Sequence, residues 1–538
     1  MSSPQTGERQ GGVRSRALAD LRLDWLAAGL AFLVPLAFYL RTACGTIYNL
    51  DSAELSAAAY SLGLPHPTGY PLYLLLGRMF ISLLPVGDVG FRMNALSAVF
   101  GALTVGLVYQ LGRRDGLVHP AALSGALFLA VSYYFWAEAV VAEVYTLHTA
   151  LMAGLLLLLW QWDATRDFRW LAGWALLYGL SFGNHMATVL LAPAFAAFIL
   201  ATDTRGVLIP RRLAGLGLLF VLGLSVYLYL PLRYLARPAF NYVGHFTTGG
   251  TFVPVDLMSS QGIAWMLSGQ PFRGVMLSYG LAELPGEALT YLFRLFGNFG
   301  PVGLAAGLVG ATAMIRRAPR RFASLALAFA ANALFFIDYR VVDKEMMFLP
   351  TYLVWAIWIA WGVVAIADWL QTGDPLSLWE RARVRASKVN DTQLGVSVVA
   401  GVFLLAAGLN LVRNFSLVDV HDDRRARLRG ETVLSRVEPD AMVVGWWASA
   451  PVLDYLQVVE GRRPDVTVIN RFLISPGDLR QLITRQAGRK PVYLAEEDKE
   501  LFEGFRVQRE GELYRLLPPA GLERGLTDED ASASHVNR

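Results

Sequence analysis

The chain has 538 residues, 55% of them hydrophobic and 17% charged, with a formal net charge of +4. A soluble protein carries about 25% charged residues, and here the apolar residues fall in long blocks instead of at helical or strand spacing, which excludes an ordinary soluble domain. The positive balance makes no case for nucleic acid, because the arginines sit beside apolar runs, where membrane topology accounts for them. The single cysteine, Cys44, cannot form an internal disulfide, so the redox compartment is unreadable.

In chain order, the first apolar run is Trp25–Thr42, with no small-residue cleavage pattern behind it. With ~20 residues needed to cross ~30 Å of hydrocarbon, the sequence predicts about eleven spans. After the first come Phe91–Leu111, Ala121–Tyr134, Ala139–Trp160, Trp170–Phe182 and Met186–Ala201. Leu213–Leu230, Leu289–Met314, Phe322–Phe336, Met347–Ala367 and Leu394–Val412 complete the set. Tyr70–Leu84 is short and contains Arg78, so it is expected to lie on the outer interface. With that assignment Arg9, Arg14, Arg16 and Arg22 share a side with every later dense basic cluster. These are Arg113/Arg114, Arg166/Arg169, Arg205/Arg211/Arg212, Arg316/Arg317/Arg320/Arg321 and Arg381/Arg383/Arg385/Lys388. Basic loops are cytoplasmic, which puts the N-terminus inside and the C-terminus outside.

The predicted organisation is a cytoplasmic N-terminal segment (1–24), a membrane body (25–413), an extracytoplasmic α/β domain (414–520) and a disordered tail (521–538). In the third part "AMVVGWW", "DVTVIN" and "PVYLAEE" read as buried strands, and "APVLDYLQVVEG" and "PGDLRQLITRQAG" as helices between them. That alternation predicts a mostly parallel sheet. No G-x-G-x-x-G follows a strand, so no nucleotide site is expected there.

The outer loops carry the chemistry. In Tyr48–Arg78, Asp51 and Glu54 are three residues apart, a spacing that suits either a helix capping box or a pair of working carboxylates. "PHPTGYP" then fixes a rigid turn that aims His66 and Tyr70. Glu138, Glu143 and His148 stand at the outer start of a span, where ionisable groups are costly and mark function. Asn184 and His185 form a tight outer turn. Asp338, Arg340, Asp343, Lys344 and Glu345 crowd a short outer loop; its cations suit a lipid phosphate, or form an internal salt-bridge network. Arg233 and Arg237 are further outer cations.

These motifs together resemble the GT-C superfamily of membrane glycosyltransferases. More closely, they resemble the family that includes the vertebrate transmembrane protein O-mannosyltransferase and its bacterial relatives. The matching stretches are "DSAELSAAAYSLGLPHPTGYPLY", "WAEAVVAEVYTL", "GNHMATVLLAP", "RPAFNYV" and "DYRVVDKEMMFLPTYLVWA". The family commonly has Gly at Ala53 and Pro at Thr68; neither departure removes a reactive group. The resemblance implies a polytopic α-helical GT-C-like fold with a small C-terminal α/β domain. It implies inverting transfer of a sugar, mannose by default, from a polyprenyl-phosphate donor to an acceptor hydroxyl, on protein Ser/Thr or a glycan, outside a bacterial-type plasma membrane. Asp51, Glu54 and Glu143 are the expected catalytic carboxylates. Arg237, Arg340 and Lys344 are expected at the donor phosphate, and His66, Tyr70, Asn184, His185 and Asp343 around the substrates. Asp51, Glu54 and Glu143 could jointly hold a divalent cation, although their spacing matches no metal signature. The competing reading is a transporter or flippase of a lipid-linked sugar, but the ionisable residues gather at the outer edge and not at the midplane.

Overall fold

The computed structural model describes residues 6–372 and 389–518. The basic cluster Arg381–Lys388 and the predicted tail 521–538 lie outside the described residues. Eight of the described helices are long and apolar enough to cross a membrane: Arg22–Thr42, Val89–Arg114, Met186–Val207, Pro210–Ala236, Leu284–Arg317, Pro319–Ile337, Lys344–Gln371 and Leu394–Val418. The three other expected spans also fall on helices, two of them only 12 and 15 residues long.

The order begins α1 (Thr6–Thr42), α2 (Asp51–Ser61), α3 (Pro71–Leu83), α4 (Val89–Arg114), α5 (His119–Ala130), α6 (Tyr133–Glu138), α7 (Tyr145–Thr165) and α8 (Phe168–Phe182). It continues with α9 (Ala192–Val207), α10 (Pro210–Leu224), α11 (Tyr229–Ala236), a hairpin β1 (Gly244–Phe246)/β2 (Phe252–Pro254) and α12 (Ser260–Leu267). α13 (Leu284–Arg317), α14 (Pro319–Ile337) and α15 (Leu349–Thr372) follow. The span expected to start at Ala139 starts instead at Tyr145. Residues 139–144 are non-helical, so Glu143 precedes α7 and only His148 lies in its first turns.

α15 is apolar from Leu353 to Ala367 and packs along α13, α5 and α14. The α13–α15 crossing is tight. A Cβ on Gly310 would sit 1.8 Å from the Trp358 carbonyl, and one on Gly362 2.1 Å from that of Ala306. Small residues let apolar helices approach where lipid supplies no hydrophobic drive.

Beyond helix Val389–Val418, a five-stranded sheet has the order β4 (Thr467–Asn470), β3 (Met442–Gly445), β5 (Val492–Leu494), β7 (Leu513–Leu517), β6 (Arg506–Glu510). β3 runs parallel to β4 and β5; β7 is antiparallel to both β5 and β6. The three predicted strands and two helices are present, but the sheet is mixed and not mostly parallel. The missed β6 is a charged, largely exposed edge strand without a buried face to announce it.

The sheet region sits on the end of the helical body that carries α2. Its helix Ala450–Val458 packs against α2, and Tyr455 Oη accepts a hydrogen bond from Gly90 N at 3.1 Å. Arg427 bridges Asp88 at 3.2 Å and Glu460 at 2.7 Å.

Candidate functional site

The α2 helix starts at Asp51 without a side-chain cap, and the residue before it, Leu50, is in the left-handed region. The capping-box reading of Asp51 and Glu54 therefore fails. Both carboxylates point elsewhere. Glu54 is fully buried, and both its oxygens are taken by one residue: His66 N donates to Oε1 at 2.6 Å and His66 Nδ1 to Oε2 at 2.7 Å. The turn "PHPTGYP" makes this possible. Gly69 has φ +87°, and a Cβ there would meet Met266 Cε at 2.6 Å and Leu230 Cδ2 at 2.9 Å, so only glycine fits.

The far side of the His66 ring meets Tyr70, whose hydroxyl is 2.7 Å from Nε2. Burial works to lower the His66 pKa, and the Glu54 and Asp51 carboxylates outweigh it, carrying it up to about 9. His66 is thus an imidazolium at neutral pH, donating from both nitrogens. Asp51 lies 3.8 Å from Nε2 with its side chain 31% exposed, and accepts a 2.6 Å hydrogen bond from Trp447 Nε1. It is the solvent-facing member of the group.

The remaining outer residues close around this core. Tyr70 stacks on His185 with ring centroids 6.1 Å apart, and Tyr145 and His148 each approach His185 at 5.6 Å. Burial and His148 hold His185 neutral, its pKa down to about 3. Asn184 Nδ2 donates to the Val144 carbonyl at 3.1 Å, pinning the chain beside Glu143. Ser52 Oγ accepts from Ala142 N at 3.2 Å, tying the same loop to α2. Glu138 and Glu143 are both buried, and Oε2 of each has no hydrogen-bond partner. Burial, followed by the Asp51 charge, raises both carboxyls, Glu138 to about 8.

The cations form a second wall. Arg340 and Lys344 both lie against Tyr279, at 4.2 and 4.5 Å from the ring centroid. Each is also paired: Arg340 with Glu283 and Lys344 with Glu287, both at 2.6 Å. A salt-bridge network is thus what this loop forms here. Asp343 is exposed on it, with its charge felt at Glu138. Arg294, on α13, pairs with Glu345 and keeps a buried Nη1 without a partner. Asn298 Nδ2 and Tyr352 Oη are also buried and unpartnered. They adjoin each other through Tyr134, whose N–H donates to Asn298 Oδ1 at 3.2 Å and whose ring stacks on Tyr352 at 6.0 Å. Arg237 is elsewhere, lining a cavity beside the C-terminal sheet.

Asp51, Glu54 and His66 each offer an atom within 4.8 Å of the others, an arrangement that could hold a metal ion, with His66 where the sequence reading put Glu143. The fit is poor: both Glu54 oxygens and both His66 nitrogens already have partners, so an ion would have to break that pair.

Two chains of ArnT from Cupriavidus metallidurans superpose on this architecture. The apo form gives a TM-score of 0.58 at 13% identity over 92% of this chain and 98% of ArnT. The form bound to undecaprenyl phosphate gives 0.56 at 14% over 94% and 99%. The chain has the GT-C fold. Residues 51–207, which hold most of the acid wall, match the model of the protein O-mannosyl-transferase TMEM260 N-terminal domain. The chain is similar to mouse protein O-mannosyl-transferase TMEM260, with 27% identity over 447 residues, 79% of this chain and 60% of the relative. It is also similar to the Dictyostelium discoideum protein of that name, with 22% identity over 83% of this chain and 57% of the relative. It thus spans about 60% of the length of the curated relatives it matches. The resemblance read from the sequence motifs is borne out in the fold and in the similarity to these relatives.

Within this GT-C fold, sequence reasoning missed several groups, Asn298 and Tyr352 among them. Trp447 reaches Asp51 from 396 residues away, a contact no local pattern announces. Tyr145 joins the His185 cluster from the first turn of α7. Arg294 did carry a signal, being an arginine inside an apolar span.

Proposed function

We propose that the protein is an inverting glycosyltransferase that moves a sugar from a polyprenyl-phosphate donor to a Ser/Thr hydroxyl of a protein, on the outer side of a plasma membrane. Mannose is the default sugar, by likeness to the O-mannosyl-transferase relatives. The ArnT form bound to undecaprenyl phosphate supports a lipid-linked donor. The observation that carries the reading is Asp51: a solvent-facing carboxylate fixed by Trp447 and backed by buried acidic groups.

In this reading Asp51 takes the proton from the acceptor hydroxyl as its oxygen attacks the anomeric carbon. The bond from that carbon to the phosphate oxygen breaks on the opposite face, releasing polyprenyl phosphate and inverting the centre. Glu54 is a positioning residue, locking His66, which in turn orients Tyr70 and offsets the charge at Asp51. Glu143 and Glu138, each with an unfilled oxygen, suit the sugar hydroxyls. Arg294 and Lys344, with Arg340 further out, stabilise the leaving phosphate, and the unpartnered Asn298 Nδ2 and Tyr352 Oη are donors for its oxygens. A reporter fused after Val420 should lie outside, and one at Arg316–Arg321 inside.

The test is release of free polyprenyl phosphate from a labelled donor by purified protein. Acceptor-dependent release is expected. Donor moved across a liposome bilayer with no release would overturn the reading in favour of the transporter.

A further inference from the structure

Between the outer end of α11, the β1–β2 hairpin and the C-terminal sheet lies a cavity of about 620 Å³, within the ~300–1,000 Å³ of ligand sites. Its walls mix polar and apolar groups, with Phe240, Phe246, Phe252 and Val468 among the apolar ones. Two polar side chains of the sheet region line it, the buried Asn470 and the half-buried Asp454. Asn470 is 1% exposed; its Oδ1 accepts from Phe472 N at 3.0 Å, which fixes the amide, and its buried Nδ2, beside the Tyr242 hydroxyl, makes no hydrogen bond of normal geometry. A buried amide donor left unfilled costs about 1–3 kcal/mol, so a ligand that accepts from it is favoured. Asp454 accepts from the Tyr242 hydroxyl. Burial, and to a lesser extent the Glu54 charge, raises its carboxyl to about 7 against that hydrogen bond. Tyr242 is the link to the reaction side: its ring lies 5.6 Å from that of Trp447, which donates to Asp51.

We infer that this cavity is the acceptor subsite, and that its occupant is an extended polypeptide segment flanking the Ser/Thr to be modified. The inference rests on the glycosyltransferase reading above. A peptide unit presents one carbonyl and one N–H, and the cavity offers one fixed donor at Asn470 and one acceptor at Asp454. The apolar groups of the walls take the neighbouring side chains, as in other modes of extended-peptide recognition. Arg237, exposed at the cavity, adds a preference for an acidic residue nearby.

The test uses the full-length protein, polyprenyl-phosphate mannose and a library of nonapeptides with a central threonine, random elsewhere. Asn470→Leu removes the donor. Ala239→Trp narrows the cavity from an exposed position on the other wall, so it does not depend on the sheet's folding. Each is expected to raise the peptide KM about tenfold, with kcat at saturating peptide little changed. Modified peptides sequenced from the wild-type reaction should be enriched in apolar residues beside the threonine. An unchanged KM in either variant, or a fall in kcat alone, overturns the subsite. A wild-type protein that hydrolyses the donor, or modifies an oligosaccharide, but transfers to no peptide overturns the peptide acceptor and leaves the glycosyltransferase standing. A wild-type protein that consumes no donor with any acceptor overturns both.

Discussion

The acid wall and the cation wall are built on opposite plans. Around Asp51 the acidic groups outnumber their partners: Glu138 and Glu143 each keep an unfilled buried oxygen, while His66 is held charged and His185 neutral. On the cation wall the charges are neutralised individually, Arg340 by Glu283, Lys344 by Glu287, and Arg294 by Glu345. The acid wall is preset for a ligand rich in hydroxyls. Arg340 and Lys344 can take a phosphate only by exchanging it for a carboxylate, whereas Arg294 keeps a buried Nη1 unfilled. Donor binding and proton transfer should therefore respond to different substitutions.

The largest expected effect is on the acid side. Asp51→Asn keeps the shape and loses the base, so transfer should fall by about 10²–10⁴-fold in a turnover assay. On the cation side, Arg294→Gln or Lys344→Gln should weaken donor binding by about ten- to a hundredfold, the worth of one charge-assisted hydrogen bond, read by titration with donor. Glu287→Gln should do the opposite and tighten it, because the competing carboxylate is gone. Equal losses from Lys344→Gln and Glu287→Gln would mean that the pair is merely structural. Arg340 is 47% exposed, so its loss should cost only about fivefold or less.

The Glu54–His66 pair gives a pH signature. The His66 pKa is raised on folding, so its stabilising contribution is complete below about 6.5 and is lost as pH rises through about 9. The thermal midpoint should fall across that window, and Glu54→Gln should flatten the fall. The smallest effect is that of chelators. With both His66 nitrogens engaged, EDTA should leave turnover unchanged, and a metal-restored loss would show that an ion displaces the pair.

What could be read in the sequence follows the range of the interactions. Asp51, Glu54, His66 and Tyr70 lie within twenty residues and are joined by a rigid turn, so local chemistry brings them together. Asn184 and His185 were legible as a tight turn, and the structure does bring them to the same core. Local spacing misled once: Asp51 and Glu54 match a capping box, but His66 offers Glu54 two donors and outcompetes the helix end. Trp447, Tyr242 and Asp454 were not legible, because their roles depend on a sheet region docking on the end of the helical body that carries α2. The charged edge strand β6 and the break before α7 escaped because neither has an apolar periodicity of its own.

One measurement separates the two walls most directly: donor Kd and saturating kcat, determined side by side for Asp51→Asn and Lys344→Gln in purified protein. The account predicts a large fall in kcat with wild-type donor Kd for Asp51→Asn, and a raised Kd with nearly wild-type kcat for Lys344→Gln. Both variants moving the same parameter, or Asp51→Asn turning over at near-normal rate, would contradict it.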